Sequence, residues 1–69
     1  MQLSARNQIP ARITSIKPGE AIANVHLDAN GVEMVASVTV EAVQQLGLME
    51  GSSVTAVIKA SDVILATGD

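Results

Sequence analysis

The residues of this sequence that could do chemistry are mainly hydrogen-bond donors. Hydroxyl groups, cationic side chains and the free N–H groups at a helix start can together surround a small anion, which only accepts hydrogen bonds. The donors of this kind are Ser4, Arg6, Thr39 and Lys59. Taken singly, they are also explained as residues of a chain end, an ordinary helix N-cap and a solvated lysine, so the residues alone leave both interpretations open.

Side chains that usually carry catalysis or bind metals are scattered along the chain. His26 is the single histidine and has no clustered carboxylate near it in sequence, which favours a surface or interface imidazole over a metal ligand. The seven acidic residues are spread out, there is no cysteine, and no serine has an evident histidine base. The sequence therefore predicts a protein that is not an enzyme.

Composition excludes several classes of partner. A net charge of −3 argues against a broad electrostatic surface for nucleic acid, and the absence of aromatic residues removes the platforms on which bases stack. No apolar run approaches the roughly 20 residues of a membrane span, and no basic-then-apolar leader is evident. We therefore expect a soluble, cytoplasmic protein that binds neither nucleic acid nor membranes.

Short apolar runs that alternate with turn signals predict an all-β fold. Pro18 and Gly19 are expected at the centre of a type II turn, and Asn30-Gly31 is a strong hairpin signal. Alternation within residues 21–27 and 33–40 predicts strands with one apolar face. The five expected strands lie around residues 10–16, 21–27, 33–40, 54–60 and 62–66.

One segment breaks the strand pattern. Thr39 is a candidate N-cap, Glu41 falls in the first turn, and Gly47 is placed to end a short helix. The helix lies between the third and fourth strands. Five strands with one helix in that position predict a five-stranded OB-like barrel.

The length of the chain limits its core. A domain of 69 residues without aromatic side chains or cysteines can bury only aliphatic groups and has no disulfide to support it. Small proteins of this kind use metals or oligomerisation to gain stability. We therefore expect a homo-oligomer.

Two stretches carry a resemblance to a known family. "SARNQ" at residues 4–8 and "VTVEAVQQLGLMEGSSVTAVIKASDVIL" at residues 38–65 are similar to the molbindins, stand-alone Mop-domain proteins that bind molybdate. The resemblance covers essentially the whole chain, which makes residues 1–69 a single Mop domain. It implies an OB-like barrel and a hexamer built as a trimer of dimers, with oxyanions held between subunits.

The resemblance also implies which residues bind the anion. The oxyanion site of the family falls on Ser4, Arg6, Thr39, Lys59 and Ala60, and on Ala42, where many relatives have serine. The first two are expected from one subunit and the others from its partner. Arg6 and Lys59 would offset the two negative charges of molybdate. Glu41 must point away from the anion.

The expected function is molybdate binding for storage or homeostasis in the cytoplasm, with tungstate as the alternative ligand. Older naming in the family refers to a molybdenum-pterin, but the chain has no aromatic residue to hold a pterin, so the bare oxyanion is favoured. A different hypothesis is an oligomerisation or regulatory module that binds no ligand. The absence of any response to molybdate would distinguish that module from an oxyanion-binding protein.

Overall fold

The computed structural model describes residues 7–68, which form one antiparallel sheet and a short helix. Along the sheet the strands follow the order β3-β2-β1-β4. In chain order, the elements are β1 (Asn7–Pro18), β2 (Ile22–Ala29), β3 (Val32–Thr39), α1 (Val40–Leu46), β4 (Ser53–Ile58) and a 3-10 turn (Ala60–Asp62). The all-β class and the helix between the third and fourth strands are thus confirmed.

The core is small and aliphatic, as the composition predicts. Alternate residues of β2 face inward, and Ile13 of β1 packs against them. The fully or nearly fully buried side chains are Ile13, Ala23, Val25, Leu27 and Ala29. The alternation predicted for residues 21–27 is therefore confirmed for residues 23, 25 and 27, whereas Ala21, expected on the same face, precedes β2 and is exposed.

A β-bulge at Thr14 interrupts the pairing of β1 with β2. Ile13 pairs with Leu27, and Ser15 pairs with the adjacent residue, His26. Thr14 is therefore an extra residue without a partner in β2. Its hydroxyl donates to the carbonyl oxygen of His26 at 3.2 Å. Because of the extra residue, Ile13 and Ile16 both contact the core although they are three positions apart.

The helix α1 has the predicted ends. Thr39 is its N-cap in extended conformation, and Gly47 ends it in the left-handed region with φ 64°. Hydrogen bonds from Gly47 N–H to the Gln44 carbonyl and from Leu48 N–H to the Val43 carbonyl satisfy the last turn. Within residues 7–68 there is no helix with the length and apolarity needed to span a membrane.

The two hairpin turns differ in how far they match the prediction. Asn30 and Gly31 both have positive φ, 55° and 91°, which is the conformation expected for an Asn-Gly hairpin. The type II turn predicted at Pro18-Gly19 is wrong, because Gly19 is not among the residues with positive φ. Gly19 instead donates to the Ile22 carbonyl at 2.8 Å, and a Cβ at this position would lie 2.9 Å from that oxygen. Close approach, and not turn type, accounts for the glycine.

The predicted fifth strand is not formed in the part of the chain that the structure describes. Residues 60–62 form the 3-10 turn and residues 63–68 belong to no strand, so the five-stranded barrel is corrected to an open four-stranded sheet. Apolar alternation identifies a segment able to become a strand, but a strand also needs a hydrogen-bonding partner. In the described part of the chain, β3 and β4 each pair with only one strand.

Candidate functional site

The start of α1 holds two of the predicted anion-binding residues. Thr39 is exposed, and its Oγ1 accepts a hydrogen bond of 3.0 Å from the N–H of Ala42, which is half-buried. Capping uses the oxygen of the hydroxyl as acceptor and leaves its hydrogen available as a donor. Thr39 can therefore cap the helix and donate to a ligand at the same time.

Main-chain N–H groups in the first turn are not equally available. Val40 N–H donates to the Ala21 carbonyl at 2.8 Å, and Ala42 N–H is engaged by the capping hydroxyl. Among residues 7–68, the N–H of Glu41 has no acceptor. The main-chain donor available in this turn thus belongs to Glu41, next to the predicted site residue Ala42.

The carboxylate of Glu41 is directed along the helix. Its Oε1 accepts a hydrogen bond from the side-chain amide of Gln45 at 3.2 Å, one turn further on. This contact draws the negative charge toward the middle of α1. The geometry agrees with the expectation that Glu41 points away from an anion bound near Thr39.

The other two described candidates follow β4. Lys59 and Ala60 are exposed where the chain enters its 3-10 turn, and Lys59 is the N-cap of that turn in extended conformation. Hydrogen bonds from Asp62 N–H to the Lys59 carbonyl at 2.9 Å and from Val63 N–H to the Ala60 carbonyl at 3.3 Å close the turn. Because Lys59 lies between β4 and the 3-10 turn, the backbone that carries its side chain is held by ordered structure on both sides.

Strand register separates these two groups within a subunit. Thr39 pairs with Ile22, beside the turn that joins β1 to β2. Lys59 follows Ile58, whose partner is the first residue of β1, Asn7. The groups therefore stand at opposite ends of β1, and no hydrogen bond or ion pair within residues 7–68 joins them.

The remaining predicted residues, Ser4 and Arg6, lie outside the described residues. Asn7, the first described residue, pairs with Ile58, which precedes Lys59 in the chain. The Asn7 side-chain amide donates to the Ile58 carbonyl at 3.3 Å and fixes this pairing. The described part of the "SARNQ" motif, Asn7-Gln8, thus lies at the Lys59 end of the sheet.

Polar groups elsewhere on the described surface do not form a competing site. His26 Nδ1 lies 3.6 Å from a carboxylate oxygen of Glu33 on the outer face of the sheet. Among residues 7–68, no three histidine, aspartate or glutamate side chains gather as a metal-binding group. Arg12 is exposed opposite Asp28 in the register, and that carboxylate would repel an anion.

An apolar cavity between β3 and β4 was not predicted from the sequence. It has a volume of about 380 Å³ and opens on the inner face of the sheet. The residues that form its walls include Val25, Leu27, Met34, Ala36, Val54 and Ala56. Alternation indicated an apolar face on these strands, but not that the face would remain uncovered in the subunit.

Comparisons with known proteins point to one family. The TOBE domain pattern matches residues 3–65. Molybdenum-pterin-binding protein 1 of Clostridium pasteurianum is 38% identical over 66 residues, which are 94% of this chain and 97% of that protein. A solved molybdate-binding protein from Sporomusa ovata is 34% identical with a TM-score of 0.94, over 97% of this chain and 100% of that one. The cytoplasmic molybdate-binding protein ModG, solved with molybdate bound, is 46% identical with a TM-score of 0.88, over 93% of this chain and 46% of that one.

Proposed function

Because the chain belongs to the TOBE domain family, we propose that it binds molybdate as a free oxyanion. The observation that carries the proposal is the likeness, over nearly the whole of both chains, to the molybdate-binding protein of Sporomusa ovata. The molybdate-bound ModG structure, at 46% identity, supports the same ligand. Tungstate, a tetrahedral dianion of similar size, is the alternative ligand.

The proposed site combines charge with directional donors. Arg6 and Lys59 supply two positive charges, which offset the charge of the dianion. Ser4 and Thr39 donate through hydroxyl hydrogens, and the main-chain N–H of Glu41, beside Ala42, and N–H groups of the turn at Ala60 complete the shell. Thr39 and Lys59 are both exposed, and the Thr39 hydroxyl keeps its hydrogen as a donor although its oxygen caps the helix. Both observations support this role.

The site is proposed to lie between subunits. Thr39 and Lys59 stand at opposite ends of β1, so we propose that they reach one small anion from different copies of the chain, and not from the same partner subunit as the sequence suggested. The small core supports the same conclusion, because the largest side chain that is fully buried is Ile13. We propose a hexamer, arranged as a trimer of dimers, as the assembled form.

The proposed cellular role is to store or buffer molybdate in the cytoplasm without catalysing a reaction. The clostridial relative is named for a molybdenum-pterin, but this chain has no aromatic residue on which a pterin ring could stack. A bare oxyanion needs only the donors described above. An oligomerisation module without a ligand remains the competing function.

Calorimetric titration of the full-length, ligand-free protein with sodium molybdate tests the proposal. Saturable heat with a fixed number of anions per hexamer is expected, and light scattering should give the mass of six chains. A folded protein that releases no heat with molybdate or tungstate would contradict the proposal and favour the oligomerisation module. A well-folded monomer at micromolar concentration would contradict the intersubunit site.

A further inference from the structure

The hairpin turn between β2 and β3 places an asparagine directly before a glycine on the surface. Asn30 and Gly31 are both exposed, and both have positive φ. Within residues 7–68, no group forms a hydrogen bond with the side-chain amide of Asn30. The main-chain nitrogen that follows an asparagine can attack the side-chain carbonyl carbon and close a ring. The turn therefore contains an electrophile and a nucleophile that are adjacent in the chain.

The nucleophile is accessible because residue 31 has no side chain. Even a Cβ added at Gly31 would have no atom within 4 Å, so the space beside its nitrogen is open. Asn24 has the opposite surroundings. It precedes Val25, which is buried and branched at Cβ, and its Oδ1 accepts a hydrogen bond of 2.8 Å from the hydroxyl of Ser37. Asn24 is therefore an internal control for any reaction of Asn30.

A carboxylate lies at the proton that the nucleophile must lose. The N–H of Gly31 donates to Oδ1 of Asp28 at 3.0 Å. A general base must lie within hydrogen-bond distance of the proton that it removes, and this contact meets the requirement. Asp28 is itself exposed, so the fold does not engage it in a buried interaction.

Positive charge lies on the same side of the sheet. Arg12 pairs with Asp28 in the register, and both line an open cleft of about 590 Å³ whose walls include Asn30. In the described part of the chain, the guanidinium of Arg12 has no ion-pair partner. A cation in this cleft stabilises negative charge that develops on the side-chain oxygen of Asn30. Once Asp28 has taken a proton, it no longer opposes that charge.

We propose that Asn30 is a site of spontaneous deamidation, with Asp28 as the general base. Asp28 takes the proton from Gly31 N–H while that nitrogen bonds to Cγ of Asn30. The bond from Cγ to Nδ2 then breaks, and the proton passes from Asp28 to the leaving nitrogen, which departs as ammonia. Water opens the resulting succinimide at either carbonyl and leaves aspartate or isoaspartate at residue 30. The reaction consumes only water and is independent of anion binding.

The product differs from the original hairpin in charge and in length. The new carboxylate adds one negative charge to a chain whose net charge is −3. Isoaspartate also adds a main-chain carbon to a turn whose φ values, 55° and 91°, suit a two-residue loop. Anion-exchange chromatography should therefore separate the converted chain from the original.

Incubation of the purified, folded protein at neutral pH tests the proposal. Release of ammonia gives the rate, and peptide mapping by mass spectrometry locates the replacement of NH₂ by OH, which is expected at Asn30 and not at Asn24. Asp28→Asn keeps an oxygen that accepts from Gly31 N–H but removes the base, so it should slow the conversion about tenfold or more. Glu33→Gln is the matched control. It removes the same charge from the residue opposite Asp28 on β3 and should keep the natural rate.

The same measurement in urea separates the effect of the fold from that of the local sequence. In the unfolded chain Asp28 is no longer held at Gly31 N–H, so the natural protein and Asp28→Asn should convert at equal rates. Equal rates for the two folded proteins would overturn the proposal. A folded natural protein that keeps Asn30 intact, while the unfolded chain loses it, would also overturn the proposal, and this comparison needs no variant.

Discussion

Thr39 and Ala42 are joined by a hydrogen bond of 3.0 Å, in which the Thr39 hydroxyl oxygen accepts from the Ala42 N–H. The same hydroxyl is proposed to donate its hydrogen to molybdate. Thr39→Ala should therefore lower the free energy of unfolding by about 1 kcal/mol, the usual effect of removing an N-cap, and also weaken binding. Chemical denaturation and calorimetry measure the two effects.

Two substitutions at Thr39 separate capping from binding. Thr39→Ser keeps both functions and should behave as the natural protein. Thr39→Asp caps a helix at least as well but adds negative charge and removes the donor, so stability should be retained while molybdate binding falls. Equal binding by the aspartate and serine variants would exclude Thr39 from the site.

Ala42 is the position where the family resemblance in the sequence leads us to expect a serine. Ala42→Ser adds a hydroxyl donor beside the proposed anion and should strengthen binding by about 0.5–1.5 kcal/mol, the net value of a typical hydrogen bond. Gln44→Ser, at an exposed position of the same helix, is the matched control and should leave affinity unchanged. If Ala42→Ser leaves the affinity for molybdate unchanged, the anion does not bind beside the first turn of α1.

Arg6 is proposed to carry one of the two compensating charges. Arg6→Ala should weaken molybdate binding by about 2–5 kcal/mol. Arg6→Lys should weaken it less, because lysine keeps the positive charge but lacks the planar guanidinium that can donate to two oxygens. Arg12→Ala is the control, since Arg12 is exposed opposite Asp28 on the outer face. Calorimetry resolved by stoichiometry should show normal binding for the control. The reverse pattern would mean that the "SARNQ" motif has a structural role.

Selectivity tests whether the site is a cage or a general anion patch. Sulfate has the same charge and shape as molybdate but shorter bonds, so donors fixed at molybdate distances should be too far away to hold it well. Competition titrations should show that tungstate displaces molybdate and that sulfate does not. Comparable affinities for sulfate and molybdate would indicate an unspecific cluster of positive charge.

The turn between β1 and β2 offers a test of the fold that is independent of ligand. Gly19→Ala places a Cβ 2.9 Å from the Ile22 carbonyl oxygen and should lower the free energy of unfolding by about 1–3 kcal/mol. Glu20→Ala, at the next exposed position, should change it by less than about 0.5 kcal/mol. Unfolding of the two variants by denaturant measures both changes in the free energy of unfolding. Equal stability would show that the turn relaxes freely.

Local patterns predicted the parts of the fold that depend on neighbouring residues. The inward face of β2, the Asn30-Gly31 hairpin and the caps Thr39 and Gly47 follow from side-chain alternation and backbone preference. The bulge at Thr14 could not be predicted in this way. Strict alternation from Ile13 places Ile16 on the outer face, and only the pairing with β2 shows the extra residue.

The candidate site was predictable only in part for a related reason. The preference of threonine for N-cap positions predicted correctly that Thr39 caps α1. Which main-chain N–H groups are available depends on partners distant in sequence, such as the Ala21 carbonyl that accepts from Val40 N–H. The separation of Thr39 from Lys59 follows from register, which the order of strands along the sequence does not specify. The prediction of a fifth strand failed because alternation does not show whether a segment finds a pairing partner, and residues 63–68 pair with no strand in the described part of the chain.

The extra residue at Thr14 lies close to the point where β1 passes from one partner strand to the other. Beyond Arg12, which is aligned with both Ser53 and Asp28, β1 leaves β4 and continues along β2, and the bulge bends it close to this point. β1 therefore has two parts. The first part pairs with β4, and the second pairs with β2, which in turn pairs with β3. A single extra residue thus marks the division of one strand between two different neighbours.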